Sequence, residues 1–98
     1  MFEILQSDTF RRWHAGLKDR QAVMRVNARI RRLADGNPGD VKAVGRGISE
    51  LRIDYGPGYR LYYMQRGAVV VVLLAGGDKR TQSVDIDRAR SIAAEWKE

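Results

Sequence analysis

The hydrophobic period of this 98-residue chain switches from 3.6 to 2 near its middle, which restricts it to folds holding both helices and strands. Phe10, Trp13 and Leu17 recur at helical spacing, and Val23, Val26, Ile30 and Leu33 repeat the signature. They predict amphipathic helices over 8–18 and 20–35, the first opened by the capping candidates Ser7, Asp8 and Thr9. Gly36-Asn37-Pro38-Gly39 ends the second helix, because proline lacks a donor and disfavours helix in the residue before it. Residues 36–47 therefore read as a loop.

Beyond that loop, Leu51, Ile53 and Tyr55 alternate with Glu50, Arg52 and Asp54, the pattern of a half-buried strand over 49–55. Gly56-Pro57-Gly58 turns the chain into a return strand over 59–65, with Tyr59, Leu61 and Tyr63 on one face and Arg60, Tyr62 and Met64 on the other. After Arg66-Gly67, the valine-rich run 68–75 is the most buried strand, and Gly76-Gly77 stops it. Phe2 to Gln6 adds a short strand. Ala89, Ile92, Ala93 and Trp96 mark a final helix over 84–97, with Asp85 and Asp87 in its first turn, where the helix dipole favours anions. The expected order is β-α-α-β-β-β-α: an α+β fold with a mainly antiparallel sheet, helices packed on it, in one domain spanning 1–98.

Charge is distributed unevenly. Lys and Arg number 18 and Asp and Glu 12, and 14 of the 18 bases are arginine, whose planar fork holds phosphates bidentately. Residues 11–32 carry eight bases against Asp19, or +7, so the remaining ten bases and eleven acids sum to −1. Arg25, Arg29 and Arg32 fall at i, i+4 and i+7, which organises part of this excess as one helical face and points to nucleic acid or to a solvated cationic surface. The absence of cysteine excludes thiol catalysis and cysteine-ligated metals and fits a reducing compartment. No basic segment followed by an apolar run opens the chain, and the run 68–75 is too short to span a bilayer, so a cytoplasmic protein without membrane association is expected.

Several chemistries find no support. His14 is the only histidine and lies mid-helix, so no histidine dyad or metal triad can be assembled around it. Asp85 and Asp87 are explained as helix-start carboxylates, and no metal is expected of them with Asp78. The segment Gly76 to Thr81 lacks the spacing of a phosphate-wrapping loop. What remains is a set of cations: Arg52 and Arg60 on neighbouring strands, with Lys79 and Arg80 leaving the next strand. Converging on one sheet edge they would form a phosphate site; the alternative is exposure or pairing with Glu50 and Asp54.

Residues 47–89, and above all ELRIDYGPGYRLYY and LLAGGDKRTQ, resemble the HigB-like addiction-module killer proteins of the RelE/ParE toxin superfamily, and the β-α-α opening fits as well. The resemblance implies a type II toxin that enters the ribosomal A site and cuts mRNA without cofactor or metal. The adjacent 2′-hydroxyl attacks the scissile phosphorus, leaving a 2′,3′-cyclic phosphate and a 5′-hydroxyl end. Such a protein must accept the 2′-hydroxyl proton, stabilise the phosphorane and protonate the departing 5′-oxygen.

By resemblance Arg60 matches the strand arginine that holds the scissile phosphate, Arg52 the second base on the preceding strand, and Lys79 or Arg80 the base after the last strand. Lysine releases a proton more readily than arginine, which makes Lys79 the candidate acid or base. Some relatives in the superfamily use a glutamate–histidine pair or a late tyrosine; this chain has no histidine in its second half and no tyrosine after Tyr63. Glu50 is the carboxylate that could serve instead, and Tyr62, on the face of Arg60, could stack on a base. Arg25, Arg29 and Arg32 are assigned to RNA or ribosome attraction. The implied partners are the ribosome, its mRNA and a helix-turn-helix antitoxin from the adjacent gene. A ParE-like DNA gyrase inhibitor and a non-catalytic basic nucleic-acid-binding domain are the alternatives.

Overall fold

A computed structural model describes residues 1–97 and shows an α+β fold. In chain order the elements are β1 (Glu3–Gln6), α1 (Asp8–Ala15), α2 (Arg20–Ala34), β2 (Val41–Ala43), β3 (Ile48–Ile53), β4 (Tyr59–Arg66), β5 (Val70–Asp78), a 3-10 turn (Lys79–Thr81) and α3 (Gln82–Glu95). The sheet order is β1-β5-β4-β3-β2. Strands β2 to β5 are antiparallel, and β1 runs parallel to β5, so the sheet is mixed.

Two expectations need correction. The loop over 36–47 contains β2, a strand too short to show a period. Gly76-Gly77 does not stop β5, which continues to Asp78. Both glycines are buried, and each admits a neighbour that a side chain would exclude: the Trp13 ring lies against Gly76 and the Asp85 carboxylate against Gly77.

Helix starts follow their caps. The Ser7 hydroxyl accepts from Phe10 N at 3.0 Å and donates to Leu74 O at 2.6 Å, fixing the start of α1 to the middle of β5. Asp19 caps α2 by accepting from Gln21 N at 2.9 Å. The alternation of β3 and β4 then divides the core. Phe10, Val26 and Leu33 of the first two helices cover Leu51, Ile53, Leu61, Tyr63, Val71 and Leu73 on one face. On the other, Ala89 of α3 meets Ile48, Tyr62, Met64, Val72 and Leu74. Among the described residues no helix is long and apolar enough to cross a membrane.

Arg29 locks α2 to the strands. Its Nη1 donates to Arg52 O at 2.7 Å, and its Nη2 to Pro38 O at 2.9 Å and Asp40 O at 3.3 Å. Burial, then the nearby Arg32, holds the guanidinium below the usual arginine pKa. This half-buried fork is committed to backbone carbonyls and is not presented to RNA, which corrects its assignment to the binding face. Arg29→Ala is expected to cost about 2–3 kcal/mol, because three carbonyls lose a charged donor. Lysine at this position recovers less than half, since one ammonium cannot span the set. Urea midpoints of the two variants check both statements.

Candidate functional site

The register of the β3–β4 hairpin sets Arg52 directly opposite Arg60. The connection between them turns through Gly56 and Gly58, at φ 56° and 82°, a left-handed region that glycine enters at little cost. Gly58 packs against Lys79, whose Cβ would lie in ordinary contact, 3.4 Å, from a Cβ at position 58, so it is the left-handed φ and not the space that calls for glycine there. The start of the 3-10 turn lies against the hairpin at this point. A cleft of about 320 Å³ results, lined by Arg52, Arg60 and Lys79, by Asp40 and Asp54, and by the Gly56-Pro57-Gly58 turn.

The three cations differ in availability. Arg52 is held by Asp40, its Nη2 and Nε lying 2.8 and 3.3 Å from Oδ1. Arg60 has a buried Nε with no hydrogen-bond partner among the described residues, while Lys79 is exposed at the rim. The Arg60 side chain lines the cleft and makes no hydrogen bond or ion pair with a described residue, so its guanidinium is uncommitted there. An anion with several oxygens suits that fork and neutralises the neighbouring charge as well.

A protein of Haemophilus influenzae, described as uncharacterized, is 52% identical over 87 residues, spanning 89% of this chain and 88% of its own length. The chain belongs to the family of that Haemophilus protein. The aligned region spans most of both chains, so the kinship extends well beyond a local motif. No protein-family model matches the chain.

Other residues singled out in the sequence lie elsewhere. Arg80 does not line the cleft; its side chain pairs with Asp78, Nη2 to Oδ2 at 2.9 Å, and this bond raises its pKa. Glu50 does share a face with Arg52, as the period of 2 requires, but it is buried beneath the start of α3. It accepts from Tyr62 Oη at 2.9 Å and Gln82 Nε2 at 3.0 Å. Substrate has no access to it, so its role as general base is corrected to a structural one. Tyr62 is 0% exposed and cannot stack on a base. Arg25 and Arg32 do remain on the surface, and with Arg29 they line a groove that shares Ile53 and Asp54 with the cleft. Arg25 lies over the Tyr55 ring at 4.6 Å, and Tyr55 Oη donates to Asp19 at 2.8 Å, which anchors the hairpin turn to the start of α2.

The Asp40 clamp and the packing of Lys79 on Gly58 were not visible as site features. Asp40 lies in an apparent loop, and Gly-Pro-Gly signals a turn without naming what packs on it.

The buried Tyr62–Glu50 bond makes stability depend on pH. Burial first, and the bond to Glu50 second, raise the Tyr62 pKa well above its ordinary 10.0, and burial raises that of Tyr63 too. Above pH 10 the unfolded chain therefore loses phenolic protons that the folded chain retains. Stability is complete below that pH and falls as pH rises through it. Urea midpoints measured from pH 8 to 11 should show this decline, and Tyr62→Phe should make it shallower.

Proposed function

We propose that the chain is a RelE/ParE-superfamily toxin of the HigB-like kind, cutting mRNA on the ribosome by 2′-hydroxyl attack. The observation that carries this reading is the cleft in which Arg52 and Arg60 face each other across a hairpin with Lys79 at its rim. The five-strand mixed sheet, with two helices on one face and α3 on the other, is compatible with a RelE-like topology.

In this reading the scissile phosphate enters against the uncommitted guanidinium of Arg60. As the 2′-oxygen bonds to phosphorus and the P–O5′ bond breaks, Arg60 and Arg52 stabilise the phosphorane charge. Two proton transfers accompany the step. Asp40 is occupied by Arg52, whereas Asp54 lines the cleft as an exposed carboxylate and takes the base role. Lys79 protonates the leaving 5′-oxygen. Arg25 and Arg32 extend the cationic surface along α2 toward ribosomal RNA.

Purified protein added to a translating extract should produce mRNA ends at codon positions, carrying 2′,3′-cyclic phosphates and requiring ribosomes. Stabilised gyrase–DNA cleavage complexes without cut mRNA would overturn the reading in favour of a ParE-like inhibitor. Salt-sensitive binding with neither product would indicate a non-catalytic domain. The same reading assigns as partner a small helix-turn-helix antitoxin encoded beside the chain, whose co-expression should relieve growth arrest.

A further inference from the structure

A second cleft, of about 390 Å³, opens at the outer edge of β5 and is lined by Thr9, Arg12, Trp13, Gly76 and Arg88. Its charge differs from that of the first. Arg12 on α1 and Arg88 on α3 are both exposed, and neither forms an ion pair with a described residue. Among the described residues no carboxylate lines the cleft. The neighbouring acids are engaged elsewhere: Asp8 with Arg11, Asp85 with Thr81 and Asp87 with Arg90. Two guanidinium groups brought to one concavity without a counter-charge favour an anion between them.

The place of this cleft in the sheet specifies the anion further. Gly76 adjoins Gly77, and Gly77 is the strand partner of Arg60. Both clefts thus lie at the end of the sheet where β4 and β5 carry Arg60 and Gly76, and within the sheet β3 with Arg52 is about 10 Å, or two strand spacings, from β5. A strand of a few nucleotides spans that distance. β1 pairs only with Val70 to Leu73, so no strand covers the edge of β5 beside Gly76.

We propose that Arg12 and Arg88 form a second phosphate site, which holds the RNA strand beside the scissile position. The identity of the anion as single-stranded RNA rests on the nuclease reading; the existence of an anion site does not. Arg12 and Arg88 act here in binding and positioning, with no contact to the reacting atoms.

The test is binding of a short, fluorescein-labelled single-stranded oligoribonucleotide to the full chain, followed by anisotropy over a salt series. Arg12→Ala/Arg88→Ala should weaken binding about tenfold and reduce the salt slope by about 1.4, the value for two single-strand phosphate contacts. Arg12→Gln/Arg88→Gln, which retains side-chain bulk, should lose as much. Lys42→Ala/Arg46→Ala removes the same charge near the opposite edge of the sheet and should change affinity by about twofold at most. The site is overturned if the Arg12/Arg88 variants bind like the parent or no worse than the Lys42/Arg46 control. Tighter binding of duplex DNA through the same two arginines would overturn the assignment to RNA. The failures separate cleanly. A parent that binds RNA through Arg12 and Arg88 but never cuts mRNA sinks the nuclease reading alone, and a parent that cuts while the variants bind and cut equally well sinks this site alone.

Discussion

Arg60→Ala is expected to lower the single-turnover rate of mRNA cleavage on the ribosome by about 10²–10³-fold, the usual loss when one preorganised donor to a developing charge is removed. The expectation rests on where Arg60 sits. It projects from β4, which is paired on both sides, by β3 and β5, so its backbone is held by two ladders. Its side chain lines the cleft and has no ion-pair or hydrogen-bond partner among the described residues, so the guanidinium is uncommitted. Arg52, by contrast, begins neutralised by Asp40, and Arg52→Ala should cost only about tenfold. Lysine at position 60 should recover charge but not the guanidinium fork, leaving activity between those of the parent and the alanine variant. The control is ribosome binding, which Arg60→Ala should leave unchanged because the exposed arginines of α1 and α2 provide the long-range attraction. Cutting by Arg60→Ala within threefold of the parent would remove this cleft from the chemistry.

How far the site was visible in the sequence depends on what periodicity encodes. A period of 2 states which residues share a face, and on that basis Arg52 and Arg60 fall together, as do Tyr59, Leu61 and Tyr63 in the core. It does not state how far a helix covers that face. Glu50 and Tyr62 have the right parity for the cleft, yet the start of α3 closes over them, and Gln82 completes a buried network in place of an accessible base. The helical period has the same blind spot. It places Arg25, Arg29 and Arg32 on one side of α2, but not the loop that folds back so that Pro38 and Asp40 offer carbonyls to Arg29. Net charge was a guide of mixed quality for the same reason. Of the bases that make residues 11–32 strongly cationic, Arg29 is committed to backbone carbonyls, Arg25 rests on Tyr55 and Arg11 is paired with Asp8. Arg12, not distinguished by spacing or neighbours, faces a cleft that only the approach of α1 and α3 creates.

Gly76→Ala should be among the most destabilising single substitutions in the chain, at about 3 kcal/mol or more, a large share of the stability of a domain of this size. A Cβ at this position would lie closer than 3.0 Å to three atoms of the Trp13 ring, which is bounded by Phe10 at 5.6 Å and Tyr59 at 6.3 Å between centroids and could move only outward, into the cleft it lines, at the loss of these contacts. Relief comes from expelling the ring or from displacing α1, whose Ser7 cap is hydrogen-bonded to Leu74 of the same strand. The decisive measurement is a double-mutant cycle by urea denaturation. Trp13→Leu alone opens a cavity and is itself costly, but combined with Gly76→Ala it should cost clearly less than the sum of the two, because the new methyl occupies space the indole vacated. Strict additivity, or a loss below about 1 kcal/mol for Gly76→Ala, would show that the ring accommodates the methyl and that close approach is not why glycine stands there. The neighbouring Gly77 obeys the same logic on the opposite face, where Asp85 and Thr81 occupy the space of its absent side chain. Together the two glycines let α1 and the start of α3 close on the end of β5 from both sides, and that closure sets Lys79 against Gly58 at the rim of the Arg60 cleft. The pair that resembles a strand terminator in the sequence is therefore what assembles the candidate site.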